Sequence, residues 1–315
     1  MSTLSRLLLI GGNGYIGRHL IHSLAGKTSR LTVLGRTAAA PGPDSNVNPS
    51  VHRLQGDYTD PKLLGPLLDE HDTIVHLAYA TVPNTSFNDP LADLQQNLPP
   101  VVRLFTEIAA RGKKLMLISS GGTVYGEALR LPIAEDQPAR PISPYGVTKL
   151  TLENYAHVYA VTHGLRYVCV RPANAYGPGQ RPFIGQGFVA TAMASAMRGQ
   201  PVRIFGQRGT IRDYLYVTDV ADGIARLLEE GELSQTYNLG SGEGLSNMDV
   251  MEAMQPLLSA HGHTLQVEHL SERSFDVRAN VLDSSKLRAL TGWQPRVPFR
   301  QGLEKTYQWL RENGF

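Results

Sequence analysis

The sequence predicts an α/β protein: a doubly wound parallel sheet followed by a smaller mixed α/β unit. Three observations carry this. Short, continuously apolar runs alternate with longer helix-like segments through the first half, as parallel strands joined by helical crossovers require. The first run, Leu7–Ile10, breaks straight into Gly11-Gly12-Asn13-Gly14-Tyr15-Ile16-Gly17 and then a helix-like stretch from Arg18 to Ala25. After Arg171 the alternation gives way to a Pro/Gly-rich stretch (Pro172, Gly177-Pro178-Gly179, Pro182, Gly185 to Gly187) and shorter mixed elements.

Taken in order, the strands are Leu7–Ile10, Leu31–Leu34, Val51–Leu54, Thr73–Leu77, Leu115–Ser119 and Tyr167–Arg171. Most are apolar without alternation, the pattern of strands covered on both faces. Pro90–Arg111 and Pro144–His163 are the two long helices between them. Beyond Arg171, Val202–Phe205 reads as a strand, and Val217–Leu228 and Asn247–Ser259 as helices. Residues 1–172 are expected to form a dinucleotide-binding domain. Residues 173–315 are expected to be predominantly substrate-binding, with some segments returning to the first sheet. Thr37 to Pro49, rich in Ala, Pro, Asn and Ser, reads as a mobile loop.

Composition narrows the class. With 42% hydrophobic and 18% charged residues, the chain of 315 residues can bury a large core and is not disordered. A net charge of +2 with no Lys/Arg runs gives no nucleic-acid footprint, and no apolar run approaches a membrane span. Cys169 is the single cysteine, so no internal disulfide forms; the cytoplasm is the expected compartment. The histidines show no metal-ligand spacing, so no metal is expected: His261 and His263 are two apart in a loop, and His76 ends a strand.

The glycine spacing G-x-x-G-x-x-G suits a diphosphate. Gly11 makes the tight turn, Gly14 removes a side chain facing the phosphates, and Gly17 lets the helix pack closely. The helix N-terminus then offers free N–H groups and partial positive charge to the anion. The strand before and the helix after make this a Rossmann-type dinucleotide site rather than an ordinary turn. Tyr145 and Lys149, four apart on a helix that starts at Pro144, project from one face. An ammonium beside a phenol favours the phenolate, lowering the phenol pKa from about 10 toward neutrality. Such a tyrosine can take a proton from an alcohol as hydride leaves the same carbon.

Upstream, Leu117-Ile118-Ser119-Ser120-Gly121-Gly122-Thr123-Val124-Tyr125-Gly126 runs from a strand into a hydroxyl-rich loop. Downstream stand Arg171-Pro172-Ala173-Asn174-Ala175-Tyr176-Gly177-Pro178-Gly179 and Gly209-Thr210-Ile211-Arg212-Asp213-Tyr214. With these motifs the chain resembles the extended short-chain dehydrogenase/reductases, and among them the nucleotide-sugar epimerases of the UDP-galactose 4-epimerase type. The resemblance runs from Leu7 to about Leu310. It implies that Tyr145 is the acid/base and that Lys149 binds the nicotinamide ribose, with Ser120 and Thr123 as the candidates for the hydroxyl that orients the sugar. It implies cofactor contacts from Gly11, Asn13, Gly14, Tyr15, Ile16, Gly17, Arg36, Asp57, Tyr58, Leu77, Ala78, Asn97 and Ser119, with His76 beside them. Asn174, Arg203, Phe205, Arg212, Arg273, Asp276 and Asn280 would meet the nucleotide sugar. The family also implies a homodimer joined by the two long helices. Arginine forks suit a sugar diphosphate, which carries about two negative charges.

Two departures stand out. Many 4-epimerases have a serine where this chain has Gly121, and 4,6-dehydratases have a threonine there followed by Asp-Glu. This chain continues with Gly122 and Thr123, which supply no carboxylic acid to expel a hydroxyl. At the end of the second strand, Gly35-Arg36 stands where an acidic residue would hold the ribose 2′-hydroxyl of NAD. A guanidinium there favours NADP over NAD. The expected activity is a nucleotide-sugar 4-epimerase working by transient oxidation at carbon 4. The alternative is an NADPH-dependent reductase of 4-keto-6-deoxysugar nucleotides using the same Tyr145 and Lys149.

Overall fold

A computed structural model describes residues 6–37, 51–272 and 276–315. Most of the loop expected from Thr37 to Pro49, and Arg273, lie outside the described residues.

Seven parallel strands form the main sheet: β1 (Leu7–Ile10), β2 (Leu31–Gly35), β3 (Val51–Gln55), β4 (Thr73–His76), β5 (Lys114–Ile118), β6 (Arg166–Pro172) and β10 (Gln235–Leu239). Their order is β3-β2-β1-β4-β5-β6-β10. The first three strands step outward on one side of β1, and the rest build on the other. Between β1 and β4 the direction of winding reverses, which opens a crevice at the carboxyl ends of those strands. Ile10 pairs with Leu34 on one side and His76 on the other, so the loops after β1, β2 and β4 end level.

Alternation along β1 explains the two-sided burial. Leu7 and Leu9 face one core, with α1 (Tyr15–Ser23), α8 (Val217–Glu230) and α10 (Ser285–Thr291). Leu8 and Ile10 face the other, with α2 (Pro61–Glu70), α4 (Pro90–Ala110) and α6 (Pro144–His163). All four leucine/isoleucine side chains are fully buried, which is why the strand reads as continuously apolar. Side-chain caps fix where the helices begin. Asp60 accepts from the Lys62 N–H, Asp89 from that of Ala92 and Ser143 from that of Gly146. Gly164, at φ +69°, ends α6.

The second half holds β7 (Asn174–Tyr176), β8 (Val202–Phe205), β9 (Ile211–Tyr216), β11 (Gly244–Ser246), β12 (Val267–Leu270) and β13 (Ala279–Asn280). The strand β9 is the hub of a small sheet and pairs with β7, β11 and β13, while β8 pairs with β12 separately. The helices α7 (Phe188–Met197), α9 (Asn247–Ala260) and α11 (Phe299–Glu312) close a third core over it. The segments that return to the main sheet are β10 at its edge and α8 against α1, both from the second half of the sequence. Two short helices complete the chain at the crevice: α3 (Pro83–Asn88) and α5 (Gly121–Val124).

Candidate active site

The glycine turn does what its spacing predicts at two positions, for reasons the structure makes explicit. Gly11 has φ +82°, and a Cβ there would lie 2.6 Å from the Ala78 backbone nitrogen. Gly17 has no room either: a Cβ would collide with the Gly12 carbonyl oxygen. The close packing is therefore of helix on turn, not of helix on strand. A Cβ at Gly14, the N-cap of α1, would meet only the Gly11 carbonyl oxygen, at 3.1 Å. No acidic residue occupies the first turn of α1. The end of this helix is thus shaped and charged for an anion. Ile16 packs against the first core. Tyr15 leans on the second half of the chain, where Gly179 lies against its ring and Tyr176 and Tyr216 join burial in raising its pKa.

Tyr145 and Lys149 lie one turn apart on α6, as predicted. The ammonium donates to the Ile118 carbonyl at the end of β5 (2.9 Å) and sits 4.0 Å from the centre of the Tyr79 ring. It lies 5.7 Å from the centre of the Tyr145 ring, and the two tyrosines meet edge to face at 4.8 Å. The pKa of Tyr145 departs from expectation. Burial pushes the phenol above its ordinary value, the Asp93 carboxylate adds to that, and the Ser120 hydroxyl opposes it. The Lys149 ammonium is directed at the Ile118 carbonyl and the Tyr79 face. Burial also brings Lys149 down to about 8, against weaker opposing effects of Cys169, Glu153 and Asp93.

Three supporting residues escaped the sequence reading. Tyr79 follows β4 and carried no spacing signal. Asp93, fully buried on α4, accepts from Thr148 (2.6 Å) and from Thr81. Glu153 was legible in principle, four residues after Lys149 on the same helix face. It forms a buried ion pair with Arg171 on β6 (2.5 Å). Arg171 also donates to the Tyr125 hydroxyl (2.8 Å), which donates to Asn238 on β10 (2.7 Å).

Several expected cofactor residues also hold the frame. The Ser119 hydroxyl donates to Glu153, so it faces into the protein. Asn97 uses its amide on the Asp93 carbonyl (2.7 Å) and accepts from the Ala80 N–H (2.8 Å), holding the loop after β4. Asp57 accepts from the Thr59 N–H at the end of β3 (2.9 Å). Next to it Tyr58, whose hydroxyl burial pushes up to about 12, meets His76 edge to face. Leu77 donates its N–H to the Ile10 carbonyl (2.9 Å), and Ala78 closes on Gly11. His76 is buried, held neutral by burial and by Lys149, with its pKa brought down to about 3.

On the other side of the crevice, Asn174 pairs with Tyr214 and Asn280 with Arg212, so β9 gathers Asn174, Arg212 and Asn280 into one sheet. This sheet abuts the loop after β5. The Asn280 amide donates to the Gly121 carbonyl (3.0 Å), and a Cβ at Gly122 would lie 3.1 Å from the Asn174 Oδ1. The glycine at 121 has a cause: a Cβ there would collide with Leu282 Cδ1 and lie 2.9 Å from the Arg171 carbonyl oxygen. Arg212 donates to the Val277 carbonyl (2.8 Å), one residue after Asp276. Arg203 and Phe205 share the outer face of the separate strand β8, where Arg203 pairs with Glu268 (2.9 Å).

A nicotinamide dinucleotide fits the crevice. The glycine turn leaves an anion cradle at the α1 N-terminus. Among the described residues, Thr123 Oγ1 and His76 Nε2 are buried without hydrogen-bond partners. Buried polar groups of this kind need partners, which a polar ligand in the crevice supplies. Gly11, Gly14, Asn13 and Lys149 would hold it.

Comparison with known proteins agrees with this geometry. The sequence profile of the NAD dependent epimerase/dehydratase family matches residues 7–240. The chain is 31% identical over 313 residues to the UDP-glucose 4-epimerase of Mycolicibacterium smegmatis, covering 97% of this chain and 98% of that one. It is also 28% identical to a dTDP-glucose 4,6-dehydratase from the same organism, over 98% of this chain and 94% of that one. The structure of the Thermus thermophilus UDP-glucose 4-epimerase in complex with NAD matches with a TM-score of 0.86 at 32% identity, over 97% and 99% of the two chains. With its motifs, its fold and most of its length in common with these proteins, the chain belongs to the NAD dependent epimerase/dehydratase family.

Proposed function

We propose that the protein is a nucleotide-sugar 4-epimerase. The observation that carries this reading is the loop from Ser120 to Thr123, which offers hydroxyls and no carboxylic acid. A dehydratase must protonate a departing hydroxyl, and the buried carboxylate nearest the chemistry, Asp93, already accepts from Thr81 and Thr148. In this reading Arg212 and Asn174 orient a nucleoside diphosphate sugar, with Asp276 at the base, Arg203 and Phe205 at the rim, and Asn280 shaping the sugar end through Gly121. Arg273 would join them on the diphosphate.

Tyr145 takes the proton of the 4-hydroxyl and returns it. It must be a phenolate to take that proton; burial opposes this form, and the Lys149 ammonium and an oxidised nicotinamide would favour it. Ser120, beside the phenol, relays the proton, and Thr123 Oγ1 is available to the sugar. Lys149, fixed by the Ile118 carbonyl, holds the ribose next to Tyr145. A bound nicotinamide dinucleotide supplies a reversible hydride acceptor. A sugar nucleotide deuterated at carbon 4 tests the cycle: an epimerase yields a product that keeps the label there.

A second reading, a 4-keto reductase using NADPH, rests on Gly35-Arg36, which favours NADP. We further propose a homodimer. Leu91 and Leu94 on α4 and Val147, Tyr155, Val158 and Val161 on α6 form an exposed apolar face. Sedimentation should give twice the chain mass, and Val158→Glu should shift it toward the monomer. We keep the cytoplasm as its compartment on the strength of the single, buried Cys169.

A further inference from the structure

The missing acid at the end of β2 has a steric counterpart. A Cβ at Gly35 would lie 2.9 Å from the Asn13 amide nitrogen. The Asn13 side chain fills the place an aspartate at 35 would need. It is held there from two sides: its amide donates to the Thr37 carbonyl (2.9 Å), and its Oδ1 accepts from Arg53 (3.0 Å). Arg53 comes from β3, one strand farther out. Gln55 on the same strand donates to the Arg36 carbonyl (3.1 Å), fixing the backbone next to Gly35. The Arg53 guanidinium and the Asn13 carboxamide thus meet where the dinucleotide cradle adjoins the second strand, with Arg36 next in the chain to Gly35. The carboxylate at this corner is Asp57, which accepts from the Thr59 N–H.

We propose that Asn13, held by Arg53, displaces the acidic residue from the end of β2, and that Asn13, Arg36 and Arg53 together form a subsite for a ribose 2′-phosphate. A carboxylate at 35 would repel that dianion, whereas an arginine fork binds phosphate oxygens bidentately. Asn13 contributes an amide N–H and sets the direction of the Arg53 fork. This inference rests on the dinucleotide reading of the crevice and names what that site selects.

Adenosine 2′,5′-bisphosphate and adenosine 5′-monophosphate differ only in the 2′-phosphate, so calorimetry with both on the full chain isolates the subsite. The unmutated protein should bind the bisphosphate about tenfold or more tightly. Arg53→Met should remove most of that ratio while leaving the monophosphate within about twofold, which also shows that the variant is folded. Gly35→Asp alone should weaken both ligands, because its Cβ collides with Asn13. Gly35→Asp with Asn13→Gly should bind again and prefer the monophosphate. A ratio unchanged by Arg53→Met, or a double variant that still prefers the bisphosphate, overturns the subsite. Preference of the unmutated protein for the monophosphate overturns it while leaving the dinucleotide site standing. Failure of both nucleotides and of NAD and NADP to bind overturns the two together.

Discussion

Tyr145 and Lys149 move in opposite directions from their ordinary pKa values for one reason: burial disfavours the charged form of each. Two expectations belong to these residues. Tyr145→Phe keeps the ring and its edge contact with Tyr79 but deletes the titrating oxygen. Turnover should fall about 10²-fold or more with an unchanged circular dichroism spectrum. The second concerns stability. The Lys149 pKa in the folded chain, about 8, lies below its unfolded value near 10.5. Between those values the unfolded chain binds more protons, so stability should rise with pH across that window. Below it, the buried ammonium costs about 3 kcal/mol. Urea unfolding from about pH 7 to 9.5 should show this rise in the parent and a flatter profile in Lys149→Met. Above that range the buried tyrosines, whose folded pKa values are raised, act in the opposite sense. Identical profiles would contradict the assignment. Helical spacing made the pair legible in the sequence. Tyr79, the aromatic face over Lys149, was not, because only the packing of the loop after β4 against α6 brings it there.

The helix α6 is tied to the sheet by Glu153 and Arg171, both nearly inaccessible to water. Arg171 continues through Tyr125 to Asn238, so one network links α6, β6 and β10 beneath the candidate site. Removing one partner of a buried pair strands the other charge. Glu153→Gln should therefore cost about 3–5 kcal/mol of unfolding free energy in urea. Replacing both, as Glu153→Met with Arg171→Leu, should cost less than the sum of the single changes. A loss below about 1 kcal/mol for Glu153→Gln would show that the pair does not anchor the helix. At this scale the sequence was informative for β1, β2 and β4 to β6, whose two-faced burial leaves a largely apolar signature, while the edge strand β3 is mixed. It was weaker for β10, where Gln235-Thr236-Tyr237-Asn238-Leu239 carries polar residues, among them the buried Asn238 that bonds Tyr125 and the Ile133 carbonyl. The helix α8 has a strong apolar face, but nothing local in its sequence says that the face meets α1.

Across the whole molecule, the parallel sheet and the glycine turn followed from periodicity and spacing, since both are consequences of local chemistry. The site was legible only in part. Gly121 stood out as a gap in a pattern, but its cause, Leu282, packs against it from the far end of the chain. Asn280 likewise meets that loop only because β13 pairs with β9. The proposed cycle draws on both halves: Tyr145 and Lys149 on α6 and Ser120 after β5 would act on a sugar held by Asn174, Arg212 and Asn280. The most direct measurement incubates the purified protein with a panel of UDP- and dTDP-hexoses and a catalytic amount of dinucleotide, then separates the nucleotide sugars by chromatography. One carbon-4 epimer should become a mixture of both, with no net change in reduced cofactor. Product formed only from a 4-keto sugar nucleotide, with stoichiometric loss of NADPH absorbance, would contradict the epimerase reading.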